Sequence, residues 1–170
     1  MFRFASLAVC LALTATGAFA QTPGNAPVVT PPPSLAPSPA VQAGKAFLAT
    51  NAKAPGVVSL PSGLQYKVLA SGPKDGPSPK LGDIIKVHYE GKLLDGTVFD
   101  SSFERNQSVI MPLDGLVQAW LDALPMMKVG DEWVLYVPPE LGYGDREMGP
   151  IKAGSVMVFR LKLLGMLAVD

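Results

Sequence analysis

Apolar and polar positions change rhythm several times along the chain, and each rhythm predicts an element. Leu64, Tyr66 and Val68 alternate with Gln65 and Lys67, the period-two pattern of a strand with one buried face. Ile84 to Leu94 repeats it: Ile85, Val87, Tyr89 and Leu93 share one face, opposite Lys86, His88, Glu90 and Lys92. Asp95-Gly96 predicts a two-residue hairpin, and Thr97 to Asp100 is the returning strand. Leu116, Ala119, Trp120, Ala123 and Leu124 then follow the spacing of an amphipathic helix, with Asp114 as its N-cap and Pro125 as its stop. Trp133, Leu135 and Val137 alternate again, Pro138 to Pro150 is a Gly- and Pro-rich loop, and Val156 to Leu164 is a final strand. Several strands and one short central helix predict an α+β domain, an antiparallel sheet wrapped onto that helix.

Upstream of this domain the chain reads differently. Arg3, an uncharged and mostly apolar stretch, and Ala18-Phe19-Ala20 predict a signal peptide over residues 1–20. A membrane anchor is the alternative, but Phe4 to Ala20 is shorter than the roughly 20 apolar residues that span a bilayer. Cys10, the single cysteine, lies inside this segment, so the cleaved chain would hold no thiol and tolerate an oxidising compartment. Residues 21–40 are Pro-rich with few large apolar groups, which predicts a disordered tether. Residues 41–61 are expected to form a short helix, Val41 to Ala54, and a linker, leaving the folded domain to residues 62–170.

Charge and residue inventory remove several function classes. Lys+Arg and Asp+Glu number 14 each, with no basic run, so a nucleic-acid partner is not expected. His88 is the single histidine and falls on the polar face of its strand, where an exposed sheet residue is the expectation. With no His or Cys set, no Gly-x-Ser-x-Gly elbow and no phosphate-cradling glycine loop, neither a metal nor another cofactor is expected. Five aromatics remain: Tyr89, Phe99, Trp120, Tyr143 and Phe159. Spacing alone reads them as core. Against that, Phe99 is followed by a carboxylate, Asp100, and Tyr143 sits in the loop Leu141-Gly142-Tyr143-Gly144. An apolar hollow with a few oriented polar groups is the usual form of a small binding site.

These residues stand in runs that resemble a known family. Val87-His88-Tyr89-Glu90-Gly91, Asp95-Gly96-Thr97-Val98-Phe99-Asp100-Ser101-Ser102, Val117-Gln118-Ala119-Trp120 and Pro138-Pro139-Glu140-Leu141-Gly142-Tyr143-Gly144 are similar, in order and spacing, to the FKBP family of peptidyl-prolyl cis-trans isomerases. Arg105-Asn106, Met127-Lys128-Val129-Gly130, Ile151-Lys152-Ala153-Gly154-Ser155 and Val158-Phe159 extend the resemblance, and Ser62-Gly63-Leu64-Gln65-Tyr66 resembles its bacterial infectivity-potentiator branch. It implies a fold of FKBP type. It also implies a catalytic set of Asp100, Tyr143, Phe99, Trp120 and Tyr89, with Arg105, Leu116, Val117, Ile151, Phe159 and Val109 binding substrate. Val109, Met111, Met148, Pro150 and Lys152-Ala153 depart from the family's common pattern, and the loop around Met148 is one residue short.

The implied activity is rotation of X-Pro bonds in unfolded or partly folded proteins, without nucleophile, metal or cofactor. Asp100 could orient Tyr89 or Arg105, meet the dipole of a twisted carbonyl, or form a structural ion pair with Arg105. Rapamycin-type macrolides are the implied inhibitors, and the periplasm the implied compartment, with secretion or membrane anchoring as alternatives. Val41 to Ala54 is shorter than the dimerisation helix of the branch it resembles, so a monomer is expected. A proline-binding holdase chaperone and a non-enzymatic interaction module are the other function classes.

Overall fold

The computed structural model of the chain describes residues 38–169; the expected signal peptide and residues 21–37 of the expected tether lie outside the described residues. Strands β1 (Val57–Ser59), β2 (Gln65–Ala70), β3 (Ile84–Leu93), β4 (Val98–Ser101), β5 (Val109–Pro112), β6 (Glu132–Val137) and β7 (Met157–Leu167) form one antiparallel sheet. Its order is β1-β2-β6-β7-β3-β4, with β5 also paired to β3. Helix α1 (Pro39–Asn51) precedes the sheet and helix α2 (Gln118–Ala123) lies between β5 and β6.

The alternating residues do what their pattern dictates. Ile85 and Val87 of β3, Leu135 and Val137 of β6, and Leu161 and Leu163 of β7 are fully buried. They share one core with Ala119, Trp120 and Ala123 of α2 and with Leu124 and Met127 beyond it. Each fully buried large aliphatic side chain contributes about 1.5–3 kcal/mol by leaving water. The α+β class and the antiparallel sheet packed on a short helix are as the sequence predicts.

Local chemistry moves several boundaries. The helix starts at Gln118, not after Asp114, because Gly115 has φ 65° and Val117 is extended at φ −60°, ψ 141°. Val117 therefore occupies the N-cap and no side chain caps the helix. The hairpin after β3 has three loop residues rather than two. Gly96 N–H donates to Leu93 O at 3.0 Å, Leu93 N–H to Thr97 O at 2.9 Å, and Gly96 takes φ 89°, so a positive-φ glycine closes the turn. At β2, Gln65 is buried and Val68 is 41% exposed, the reverse of the alternation. Gln65 Nε2 donates to Leu48 O and its Oε1 accepts from Asn51 Nδ2, both at 2.9 Å, so its amide ties α1 to the sheet. Helix α1 itself begins at Pro39, capped by the Ser38 hydroxyl, inside the stretch expected to be tether. Val57–Ser59, expected as linker, pairs with β2. The described residues, 38–169, fall in one compact unit.

Candidate active site

One edge of β3 changes partner midway, and the site grows from that change. β5 pairs with Ile84 to Val87 and β4 with Glu90 to Lys92, so residues 102–108 leave the sheet between them. Ser102 fastens the departure point. Its N–H donates to Tyr89 O at 2.8 Å, and its hydroxyl accepts from Tyr89 N–H at 2.7 Å. His88, expected to be exposed, is half-buried instead: its ring stacks on Phe103 at 4.9 Å and its Nδ1 lies 3.0 Å from Ser102 Oγ.

Four aromatic rings meet edge to face. The centroid of Trp120 lies 5.3 Å from Tyr89 and 5.6 Å from Phe159, at interplanar angles of 73° and 83°. Phe99 meets Phe159 at 5.6 Å and 82°. Such pairs favour rings held at fixed angles, each worth about 0.5–1.5 kcal/mol beyond burial. Gly91 makes the Phe99 seat possible, since a Cβ there would fall 2.4 Å from its Cε2 and 2.8 Å from Phe159 Cε1. No signal in the alternation of β3 marks this glycine as part of the site.

The rings border a cavity of about 880 Å³. Tyr89, Phe99, Asp100, Leu116, Val117, Trp120, Tyr143, Ile151 and Phe159 all line it, nine of the residues expected for the site. Val109 does not. It lies on β5 paired with Val87 of β3, and Met111, two residues on and on the same face, takes the place at the wall. Arg105 is also outside the lining and reaches the site through Asp100. Gly115, Gln118, Gly142, Arg146, Met148, Gly149 and Pro150 complete the wall; the loop residues among them carried no pattern that marked them individually.

Asp100 binds two partners at the rim. Tyr89 Oη–H donates to Asp100 Oδ2, and Arg105 Nη1 donates to Asp100 Oδ1. Partial burial pushes the Asp100 carboxyl up, but these two donors together outweigh it and hold the carboxyl below its ordinary range. Burial, then the bond to the Asp100 carboxylate, raises the Tyr89 phenol above its ordinary value. The ion pair itself is half-exposed, so solvent screens it and its net contribution is small. In the cavity wall, Trp120 Nε1 is buried without a partner, and the hydroxyl of half-buried Tyr143 bonds to none of the described residues. Among the described residues no three His, Cys, Asp or Glu side chains are grouped to hold a metal ion.

An antiparallel sheet on a short helix, with an aromatic hollow rimmed by a bound carboxylate and a hydroxyl, has the form of a small, mostly apolar binding site. The family model described as FKBP-type peptidyl-prolyl cis-trans isomerase matches residues 76–164, and that of the domain amino terminal to it matches residues 36–68. The chain belongs to the FKBP-type peptidyl-prolyl cis-trans isomerase family. It is 46% identical to the peptidyl-prolyl cis-trans isomerase Mip of Coxiella burnetii over 71% of this chain and 52% of that one. FK506-binding protein 2 of Debaryomyces hansenii is 43% identical over 63% of this chain and 82% of that protein. The crystal structure of FkpA from Escherichia coli superposes with a TM-score of 0.71 at 35% identity, covering 75% of this chain and 59% of that one. Against the bacterial relatives the chain spans roughly half of their length, 52%, 60% and 44% in three cases.

Proposed function

We propose that the chain rotates X-Pro peptide bonds of unfolded or partly folded proteins in this cavity, without covalent chemistry. The observation that carries the reading is the box of Phe99, Trp120, Phe159 and Tyr89, closed by Asp100, in a member of this family. Rotation about an amide crosses a barrier of about 18–20 kcal/mol because resonance is lost on the way. A planar amide is strongly polar and the twisted one less so. An apolar wall therefore disfavours the planar ground state relative to the transition state, and each 1.4 kcal/mol of that difference is about tenfold in rate.

In this reading Trp120 is the floor under the proline ring, and Phe99 and Phe159 are its sides. Tyr143, whose hydroxyl has no partner among the described residues, donates to a substrate carbonyl. Leu116, Val117, Ile151 and Met111 hold the flanking residues. Both carboxylate oxygens of Asp100 are engaged, which favours a positioning role: it fixes Tyr89 and is itself fixed by Arg105.

Export follows from the residue pattern of positions 1–20, and the 39% identical relative from Legionella longbeachae is named an outer membrane protein. The proposed setting is the periplasm, the proposed clients exported proteins, and the proposed assembly a monomer. Intact mass of the protein recovered from its host tests export: a chain beginning near Gln21 supports it, a retained Cys10 contradicts it. The same cavity is proposed to take rapamycin-type macrolides, which calorimetric competition with a Pro-containing peptide tests. Exchange spectroscopy on a labelled X-Pro peptide tests the activity itself. Catalytic amounts of protein should produce cis–trans cross peaks that the peptide alone lacks; line broadening without cross peaks would mean binding alone.

A further inference from the structure

No residue of α1 lines the cavity, yet the helix packs against the loop that does. Gly44 is the buried residue of α1, and a Cβ built there would fall 2.7 Å from Val156 Cγ2. The contact is returned at Gly154, where a Cβ would fall 2.2 Å from Val41 Cγ2. Val41 from the helix and Val156 from the domain thus each rest on a bare glycine of the other. Ala40 and Ala43 flank this contact and face Pro150, Lys152 and Ser155 across a small groove.

Gly154 is the neck of the cavity loop. Its N–H donates to Gly144 O at 2.9 Å, closing residues 144–154 on themselves. Inside the loop Met148 and Ile151 exchange two backbone bonds of 2.9 Å, and Ile151 is 3% exposed with its side toward the cavity. Arg146, Met148, Gly149 and Pro150 of the same loop line that wall. Tyr143 stands one residue before the neck.

We propose that α1 is a positioning element of the active site: Val41 and Gly44 clamp the loop neck at Gly154 and Val156, and so set where Pro150 and Ile151 stand against a bound Pro-containing chain. This rests on the isomerase reading above. Close packing makes the clamp sensitive. Ordinary carbon–carbon contacts lie at about 3.5–4.0 Å, so one methyl at Gly44 must drive helix and neck apart by about 1 Å. A displacement of that size at substrate-positioning groups can cost a large factor in rate. Alanine is a better helix former than glycine, so α1 itself does not weaken.

The test uses the full chain and the variants Gly44→Ala, Val156→Ala and the pair combined. Gly44→Ala is expected to raise KM for a Pro-containing tetrapeptide about fivefold with kcat within about twofold. It should also speed amide exchange of residues 144–154 about tenfold, leaving β3 and β7 unchanged. The double variant removes the clashing Cγ2 and leaves the Val156 Cβ 3.6 Å from the new methyl, so KM and exchange should both return toward wild type. A helix that only adds stability would shift Tm and leave KM alone. Should Gly44→Ala melt the domain, Val41→Ala opens the contact without a clash and carries the same expectation. Unchanged loop exchange, faster exchange with unchanged KM, or no recovery in the double variant each overturns the clamp. A wild-type chain without isomerase activity overturns the functional reading instead, and the exchange measurements then decide the coupling of helix to loop.

Discussion

Gly91 shows how much a single missing atom can decide. The Phe99 ring occupies the space a side chain at Gly91 would need, 2.4 Å from where a Cβ would stand. Gly91→Ala must push Phe99 off Phe159, an overpacking expected to cost about 1–3 kcal/mol of stability. Turnover should suffer as well, with kcat/KM falling about tenfold as roughly 1.4 kcal/mol of differential stabilisation is lost. Wild-type kinetics in this variant would show that the Phe99 position is not used. Asp100 gives a pH test. Its folded pKa lies below the ordinary 3.8, so its carboxylate favours the folded state. That contribution is complete above the unfolded value and is lost as pH falls through the folded one. The stability gap between wild type and Asp100→Asn, small because the pair is half-exposed, should be level from about pH 5 to 8 and close below about pH 4. A gap that closes between pH 5 and 7 contradicts this pairing. Among single residues, the aromatics and Asp100 were legible because the motifs that carry them are specific. Gly91 and the shift from Val109 to Met111 were not, since both depend on which atom lies across the sheet.

Elements were legible in proportion to their length. The strands of six or more residues with buried apolar runs, β3, β6 and β7, follow from alternation alone. Strands β1 and β5, of three and four residues, offer too few positions for a period to show, and their pairing is set by β2 and β3. The spacing through Leu116 to Leu124 overstated α2, because the left-handed Gly115 and extended Val117 keep Leu116 outside a six-residue helix. Gln65 reads as the polar face of β2, yet it is 6% exposed and joins that strand to α1 by two side-chain bonds. Gln65→Ala leaves the Asn51 amide without its partner and should cost about 1–3 kcal/mol in urea unfolding. It should also release α1 to exchange ahead of the sheet. A cost under about 0.3 kcal/mol would mean that α1 is held by its apolar contacts, such as Phe47 against Tyr136 at 5.9 Å, and not by this amide.

At the scale of the whole molecule, a sheet, a short helix and one long loop assemble an aromatic hollow, and the central claim is that this hollow lowers the barrier to X-Pro rotation. The chain holds two buried tryptophans, and only one belongs to the hollow: Trp133 stacks on Tyr66 at 4.4 Å and 10°, away from the cavity lining. Its Nε1 is also buried without a partner, so Trp133→Phe trades stacking area against a removed unpaired donor. Some stability should be lost and kcat/KM should stay within about threefold. Phe99, half-buried at the hollow, should behave in the opposite way on truncation. Its stability cost should stay below the roughly 3–5 kcal/mol of a core Phe→Ala change. The decisive measurement is a protease-coupled isomer assay on a short X-Pro peptide with wild type, Phe99→Ala and Trp133→Phe, each checked for folding by urea. Wild type should abolish the uncatalysed phase of tens to hundreds of seconds, and Phe99→Ala should lose tenfold or more in kcat/KM while folded. A folded wild-type chain that binds the peptide and leaves the slow phase untouched, or a folded Phe99→Ala with full activity, would contradict catalysis by this hollow.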